Sequence, residues 1–495
     1  MQKPAYRSSL VSLLWLVLGV TCAAFAGWRF NVALAAWLAP MFLVRYFRDR
    51  ERWYAALPAV PLLGIAAFIQ MAGGWDLDAW MIPLFSLLRF GAPLAGLFAD
   101  RALHRRLPRW AAMLVYPAVT TAVEYAVGFT PFGVILAVPS TQFGVPAVAQ
   151  LASLAGVWGI GFLIGWTAAV ANLAWEERAS FARASRPVAA WACVFAAAIA
   201  FGSARAWLAR PAAPTVRVAG VTVEHPRDYW DWIDASTPTA EVDAHAAELA
   251  LLQDALFERS AAAAGAGAKV IVWSEGNAVI APERRQAFMD RAAGFAREHG
   301  VYLAAAVLEL AYGSTLSDNK VVMFAPDGSV AFTYVKTMSW YPTGSDGILR
   351  TVDTPYGRIG AAVCFDMDFP YFIRRFARMD ADIVLVPSFD SERIRPYHTE
   401  VGLFRAVEDG FAMVRQVSSG ASMAVDGTGR VLARQDFFAT ADRVMIVDVP
   451  TRRSWTLYGV VGDLVAWLAC ALAVALVAMG FVSAETLSRL RRYPR

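Results

Sequence analysis

Residues 357–370, GRIGAAVCFDMDFP, run from a short apolar stretch into a turn that carries a cysteine, two aspartates and a proline. The apolar half reads as a buried strand, and the proline stops any regular continuation. Cys364 stands at the end of that strand. The other three cysteines, Cys22, Cys193 and Cys470, lie in long apolar runs. A lone thiol at a strand end is either a buried structural group or a reactive one, and position alone leaves both open.

Around this strand, extended and helical patterns alternate. VRVAGVTV (216–223) is a Val-rich buried strand, and 239–266 is an Ala/Leu-rich helix. AKVIVWSEGNAV (268–279) is a strand ending at an acid. Residues 281–300 form a helix with Gly300 as its C-cap, followed by a strand over 301–310. Residues 319–340 read as a hairpin with a Pro-Asp-Gly turn. After the Cys364 strand come a helix at 371–381, a strand at 382–389, a helix at 398–410 and a second hairpin over 411–434, turning at Asp426-Gly427. The alternation predicts an α/β sandwich with sheets between helix layers.

Three of these strands end in chemistry: Glu275 after VIVW, Lys336 after AFTYV and Cys364 after AAV. Strand ends of layered α/β folds are where a rigid sheet holds reactive groups. A carboxylate can take a thiol's proton, the thiolate is the nucleophile, and an ammonium can stabilise first the thiolate and then an oxyanion. Each residue also has a plain structural reading: a core thiol, an acid at a helix start, a surface lysine. Of the five histidines, only His398 falls near a candidate site strand.

This α/β segment is set within a very apolar chain. Of 495 residues 58% are hydrophobic, and the mean hydropathy is +0.44. The excess lies in runs of membrane-spanning length near 9–27, 30–47, 54–74, 79–99, 110–128, 146–174, 187–208 and 458–483. About 245 residues of ordinary globular composition separate the seventh from the eighth. The domains expected are therefore a seven-span segment over 1–210, a globular domain over 211–455, and a last span with a basic tail over 456–495. The first run has the charge pattern of a signal peptide, but six spans follow it directly and it reads as a retained helix.

The net charge of +4 hides a strong asymmetry. Arg45, Arg48, Arg50 and Arg52 follow the second span; Arg101, Arg105, Arg106 and Arg109 follow the fourth. Arg178, Arg183 and Arg186 follow the sixth, and Arg489, Arg491, Arg492 and Arg495 the eighth. The alternate loops, such as GGWDLDAW (73–80), are poor in Lys and Arg. The positive-inside rule then places both termini in the cytoplasm and the globular domain outside. Arginine patches that abut spans argue against a nucleic-acid partner. An exported domain with one cysteine has no internal disulfide to form. Arg89 falls inside a span and Glu124 near the outer end of another. An intramembrane charge is either functional or satisfied by a polar neighbour. Trp75, Trp80, Trp158, Trp166 and Trp207 read as interfacial aromatics.

VIVWSEGNAV (270–279), FTYVKTMSWYPTG (332–344) and GAAVCFDMDFP (360–370) resemble, in order, the Glu, Lys and Cys segments of the nitrilase, or carbon–nitrogen hydrolase, superfamily. ADIVLVPSFD (381–390) and the stretch 397–429 agree with that pattern. A nitrilase-like domain between a seventh and an eighth span resembles the apolipoprotein N-acyltransferase family, as do 123–143 and 151–166. The resemblance implies a multi-span α-helical membrane bundle of about eight helices joined to a four-layer α-β-β-α sandwich. It implies Glu275 as general base, Lys336 as oxyanion cation and Cys364 as nucleophile, with the Phe365 N–H as second oxyanion donor. A fatty acyl chain would pass from a phospholipid to Cys364 as a thioester, and then to the N-terminal amine of a diacylated lipoprotein. No metal or cofactor is implied, and a monomer in a bacterial inner membrane is expected.

The chain departs from the family after two of the motifs. The glutamate that follows the family's lysine is Gly344 here, with Asp346 two residues on as its candidate replacement. The acid after the cysteine motif is Asp366 rather than a glutamate. These departures leave two other readings: a membrane-tethered amidase for a small periplasmic amide, and a scaffold that kept the fold.

Overall fold

The computed structural model describes residues 5–50, 52–71, 81–180, 182–208, 214–225, 244–310, 318–340 and 343–492. GGWDLDAW, with Trp75 and Trp80, lies outside the described residues. The chain divides into two compact units, one of 1–207 with 461–495 and one of 208–460.

The first unit is helical: α1 (Ala5–Ala24), α2 (Ala33–Asp49), α3 (Ala59–Met71), α4 (Met81–Leu103), α5 (Arg109–Val127), α6 (Ala152–Glu176), α7 (Ala182–Leu208) and α11 (Leu464–Arg492). Among the described residues, four segments are long and apolar enough to cross a membrane: Trp53–Met71, Ala152–Glu176, Ala182–Leu208 and Leu464–Val482. That is fewer than the eight spans expected. α2 is only 17 residues and ends in charge, while α4 and α5 carry Arg89 and Glu124 in their interiors. Close packing comes from small residues, as helices without a hydrophobic driving force require. A Cβ on Gly165 of α6 would sit 3.0 Å from the Pro117 backbone of α5.

The buried charged groups Arg48, Asp100, Arg89 and Glu124 of this unit are matched. Arg48 and Asp100 form a buried fork–fork pair, both contacts at 2.7 Å. Arg89 is buried and donates to Gln70 Oε1 (3.1 Å), Leu136 O (3.2 Å) and Ala26 O. Glu124 Oε1 accepts from Val138 N at 2.9 Å. Trp158 is buried, not interfacial, and its Nε1 donates to Asp463 at 3.0 Å.

The second unit holds two sheets. Its elements in chain order are β1 (Thr215–Val221), α8 (Ala246–Gly265), β2 (Val270–Trp273), β3 (Ala278–Ile280), α9 (Arg285–His299), β4 (Tyr302–Glu309), β5 (Asp318–Phe324), β6 (Val330–Val335), β7 (Arg350–Thr354), β8 (Gly357–Ala361), β9 (Ile383–Phe389), α10 (Tyr397–Asp409), β10 (Ala412–Ser418), β11 (Ala421–Val425), β12 (Val431–Asp436) and β13 (Val444–Pro450). One sheet is ordered β13-β1-β2-β4-β5-β6 with β3 beside β4, the other β12-β11-β10-β9-β8-β7. The central pairs β1/β2, β2/β4, β8/β9 and β9/β10 are parallel. Parallel strands buried on both faces read as unbroken apolar runs, as VIVW and IVLV do.

α8 and α9 cover the first sheet through a core that includes Leu256, Phe257, Phe288, Phe295 and Trp273. The inner faces of the two sheets meet at Gln416, whose Nε2 donates to Thr222 Oγ1 at 2.7 Å. A Cβ on Gly220 would come within 2.0 Å of the Gln416 amide oxygen, so only glycine fits there. α10 packs on β10 and β11 of the second sheet. The layers are therefore helix, sheet, sheet, helix.

Three local readings change. The 268–279 strand is broken into β2 and β3 by residues 274–277. The 371–381 helix is two short turns, Pro370–Ile373 and Arg375–Arg378. The second hairpin is a three-strand meander, with an additional turn at Ser419-Gly420 before the expected one at Asp426.

Candidate active site

The break between β2 and β3 is what aims Glu275. Asn277 holds it: its Oδ1 accepts from Val223 N (3.0 Å) and Ser274 Oγ (2.7 Å). Its Nδ2 faces Nε2 of His225 at 2.5 Å. Burial lowers the His225 pKa to about 4, so that ring stays neutral. Glu275 is 5% exposed. Its Oε1 accepts from Lys336 Nζ (2.7 Å) and Asn319 Nδ2 (2.6 Å), and its Oε2 from the backbone N–H of Phe389 (3.0 Å).

Lys336 leaves the end of β6, and its own N–H donates to Asn319 O at 2.8 Å. Burial works against its charge, but Glu275 and Cys364 outweigh burial and raise its pKa, so the ammonium is retained. Cys364 opens a 3₁₀ turn, Cys364–Asp368, with a left-handed φ of 47°. A non-glycine residue in that region is a strained arrangement that surrounding contacts must hold. Sγ lies 3.4 Å from the Phe389 carbonyl. Burial, then Glu275, push the thiol pKa up, while Lys336 and Arg415 pull it down; the net direction is up. The resting sulfur therefore keeps its proton.

Asp366 fastens two of these segments together. Its Oδ2 accepts from Tyr334 Oη (2.7 Å) and Val363 N (2.8 Å), and its Oδ1 from Met338 N (2.7 Å) and Thr337 N (3.2 Å). Burial nevertheless raises its pKa to about 6. It binds the Lys336 strand end to the Cys364 turn and does not face the reacting atoms. Phe365 stacks on Trp340 with ring centroids 5.9 Å apart. Its N–H belongs to the first turn of the helix, where amides have no intrahelical acceptor.

Asp346 is elsewhere. It is half-exposed, and it accepts from Ile348 N at 2.9 Å and from Arg350 Nη2 at 2.6 Å. Its hydrogen-bond partners among the described residues are thus Ile348 and Arg350, not Glu275, Lys336 or Cys364.

A buried ionic group behind the cysteine was not anticipated. His398 Nδ1 lies 2.6 Å from Asp390 Oδ1, and Nε2 lies 2.8 Å from Asp368 Oδ2. Arg415 Nη2 lies 3.3 Å from Asp390 Oδ1, and Nη1 donates to the Cys364 carbonyl at 3.4 Å. Burial alone would strip the imidazolium of its proton, but Asp390 and Asp368 raise its pKa to about 9. The signal for this group was an acid one residue past a strand end in SFD (388–390) and a histidine starting a helix, but only the fold places them together. Donor atoms of Cys364, Asp390 and His398 lie within 4.8 Å of one another. Both imidazole nitrogens already face carboxylates and a guanidinium points into the group, so this donor set is arranged for ion pairing rather than a metal.

Residues 234–456 match the carbon-nitrogen hydrolase family. The apolipoprotein N-acyltransferase of Geobacter metallireducens is 25% identical over 406 residues, 74% of either chain. That of Shewanella oneidensis is 24% identical over 422 residues, 75% of this chain and 74% of its own. The human deaminated glutathione amidase is 39% identical over 94 residues, 17% of this chain and 29% of its own. Among solved structures, an amidase from Nesterenkonia sp. overlaps 50% of this chain and 94% of its own at 19% identity, with a TM-score of 0.39. Residues 234–456 thus form a carbon–nitrogen hydrolase domain. The likeness to the two apolipoprotein N-acyltransferases spans about three quarters of the chain, and so extends beyond the α/β unit.

Proposed function

We propose that the protein is an N-acyltransferase of lipoprotein maturation, with Glu275, Lys336 and Cys364 as its catalytic group. The observation that carries the reading is the contact chain Lys336–Glu275–Phe389–Cys364, in a chain whose likeness to N-acyltransferases spans three quarters of its length. Glu275 takes the Cys364 proton, and the sulfur attacks the ester carbonyl of a phospholipid. The oxyanion meets the Lys336 ammonium and the Phe365 N–H, donors in place before charge develops. The tetrahedral intermediate expels the lysophospholipid oxygen, which recovers the proton from Glu275. The α-amine of a diacylglyceryl-cysteine lipoprotein then attacks the thioester, forming an amide and returning the thiol. The helical unit lies in a bacterial inner membrane with both termini cytoplasmic, and the α/β unit on the periplasmic side.

A second reading is an amidase in which water takes the place of the amine. Stretches at 32% identity over 128 residues to an (R)-stereoselective amidase, and the human likeness above, favour it. The test is intact-mass spectrometry of the detergent-purified chain beside Cys364→Ser after incubation with a defined phosphatidylethanolamine. A hydroxylamine-labile acyl adduct on the parent alone supports the acyltransferase. No adduct, with release of ammonia from short amides, would replace it with the amidase.

A further inference from the structure

The helical unit carries a second cavity of chemical interest, about 350 Å³ in volume. It opens where α2, α4 and α6 end and α5 begins, so all four helices present the same end of the bundle. Four arginines line it, Arg45, Arg48, Arg105 and Arg109, facing Glu176 and Glu177. The floor is apolar, with Met113 and Leu173.

The charges around it balance in number but not in place. Arg48 is matched by the buried Asp100 and Arg45 by Asp49. Glu176 is therefore an additional acid shared between two arginines already matched, at 3.1 Å from Arg45 and 3.5 Å from Arg48. Arg109 pairs with Glu177 at 2.7 Å. Arg105 is exposed and has no acid partner among the described residues. The cavity thus has surplus positive charge at Arg105 and surplus negative charge at Glu176, over an apolar floor.

Its depth is also informative. α6 is one of the four segments able to cross a membrane, and its apolar run ends at Glu176. The cavity sits where such a helix passes from hydrocarbon to the headgroup zone. Basic pockets between membrane helices at this level bind lipid headgroups. A free anion has no use for the Glu176 corner or the apolar floor.

We propose that this cavity holds the headgroup of a zwitterionic phospholipid, its phosphodiester at Arg105 and Arg109 and its primary ammonium at Glu176, with the glycerol end over Met113 and Leu173. The site is separate from the α/β unit and does not rest on the acyltransferase reading.

The test is native mass spectrometry of the full chain in detergent, in a Cys364→Ala background so that no lipid is consumed. Short-chain phosphatidylethanolamine and phosphatidylglycerol are titrated separately, with inorganic phosphate and phosphoethanolamine as soluble competitors. The parent is expected to retain one more phosphatidylethanolamine than Arg105→Gln, and to prefer it at least fivefold over phosphatidylglycerol. Glu176→Gln should keep lipid binding but lose that preference, a split that a folding defect would not produce. Equal occupancy in the parent and Arg105→Gln overturns the proposal. So does a parent that prefers phosphatidylglycerol, or displacement of the lipid by inorganic phosphate as readily as by phosphoethanolamine.

Discussion

Replacing His398 by Asn tests the buried ionic group behind Cys364. Two acids, Asp368 and Asp390, and two bases, His398 and Arg415, share a site in which all four are at least 96% buried. The group is neutral only while the imidazole is protonated. Removing that charge leaves a net negative charge without solvent, which costs about 3–5 kcal/mol. For a unit of this size, about 2–4 °C per kcal/mol makes this a fall in midpoint of roughly 6–20 °C near pH 6. The pH dependence is the sharper readout. The folded pKa, about 9, lies above the ordinary value of 6.5. The stabilisation is therefore complete below about pH 6.5 and is lost as pH rises through about 9. A shift of that size is worth about 3 kcal/mol. Thermal unfolding followed by circular dichroism between pH 6 and 10 should show the parent losing stability across this window. His398→Asn should start lower and stay comparatively flat. Parallel declines in both proteins, or equal midpoints at pH 6, would refute the assignment of His398 as a buried cation.

Lys336→Met should lower acyl-adduct formation about 10²–10³-fold, the cost of one oxyanion donor, with the unfolding midpoint as the control for folding. Asp366→Asn turns an acceptor for four donors into a group that accepts at one end only. A loss of about 2–4 kcal/mol is expected, read by thermal unfolding, with adduct formation falling as the Lys336 and Cys364 segments loosen. Asp346→Ala removes an exposed pair with Arg350 and one exposed turn bond from Ile348 N. It should change stability by under about 0.5 kcal/mol and leave adduct formation unaltered; a tenfold loss would support Asp346 as a replacement for the missing glutamate.

Glu275, Lys336 and Cys364 were legible in the sequence as residues at strand ends, and the resemblance to the nitrilase superfamily supplied their expected roles; the structure places Lys336 on Glu275 and both Glu275 and Cys364 on Phe389. What lies between the three was not legible there. The break at 274–277 follows an apolar run that reads as continuous, and its causes are the long-range bonds from Asn277 to Val223 and His225. Asp390, His398 and Arg415 are separated along the chain and meet only through the order of β9, α10 and β10. The turn at Ser419 places a serine, not a glycine, in the left-handed region with φ 57°, so residue type gave weak warning. In the helical unit, apolar length alone did not show how the charges inside α4 and α5 are met. Arg89 and Glu124 had to be weighed with their partners, and backbone and amide oxygens meet the arginine in full burial.

Through its backbone, Phe389 touches both the acid and the thiol: its N–H reaches Glu275 and its carbonyl faces Cys364. The two groups are thus referenced to the two ends of one residue. When β9 or its loop fluctuates, both partners receive the displacement in common mode, and their separation changes less than either position does.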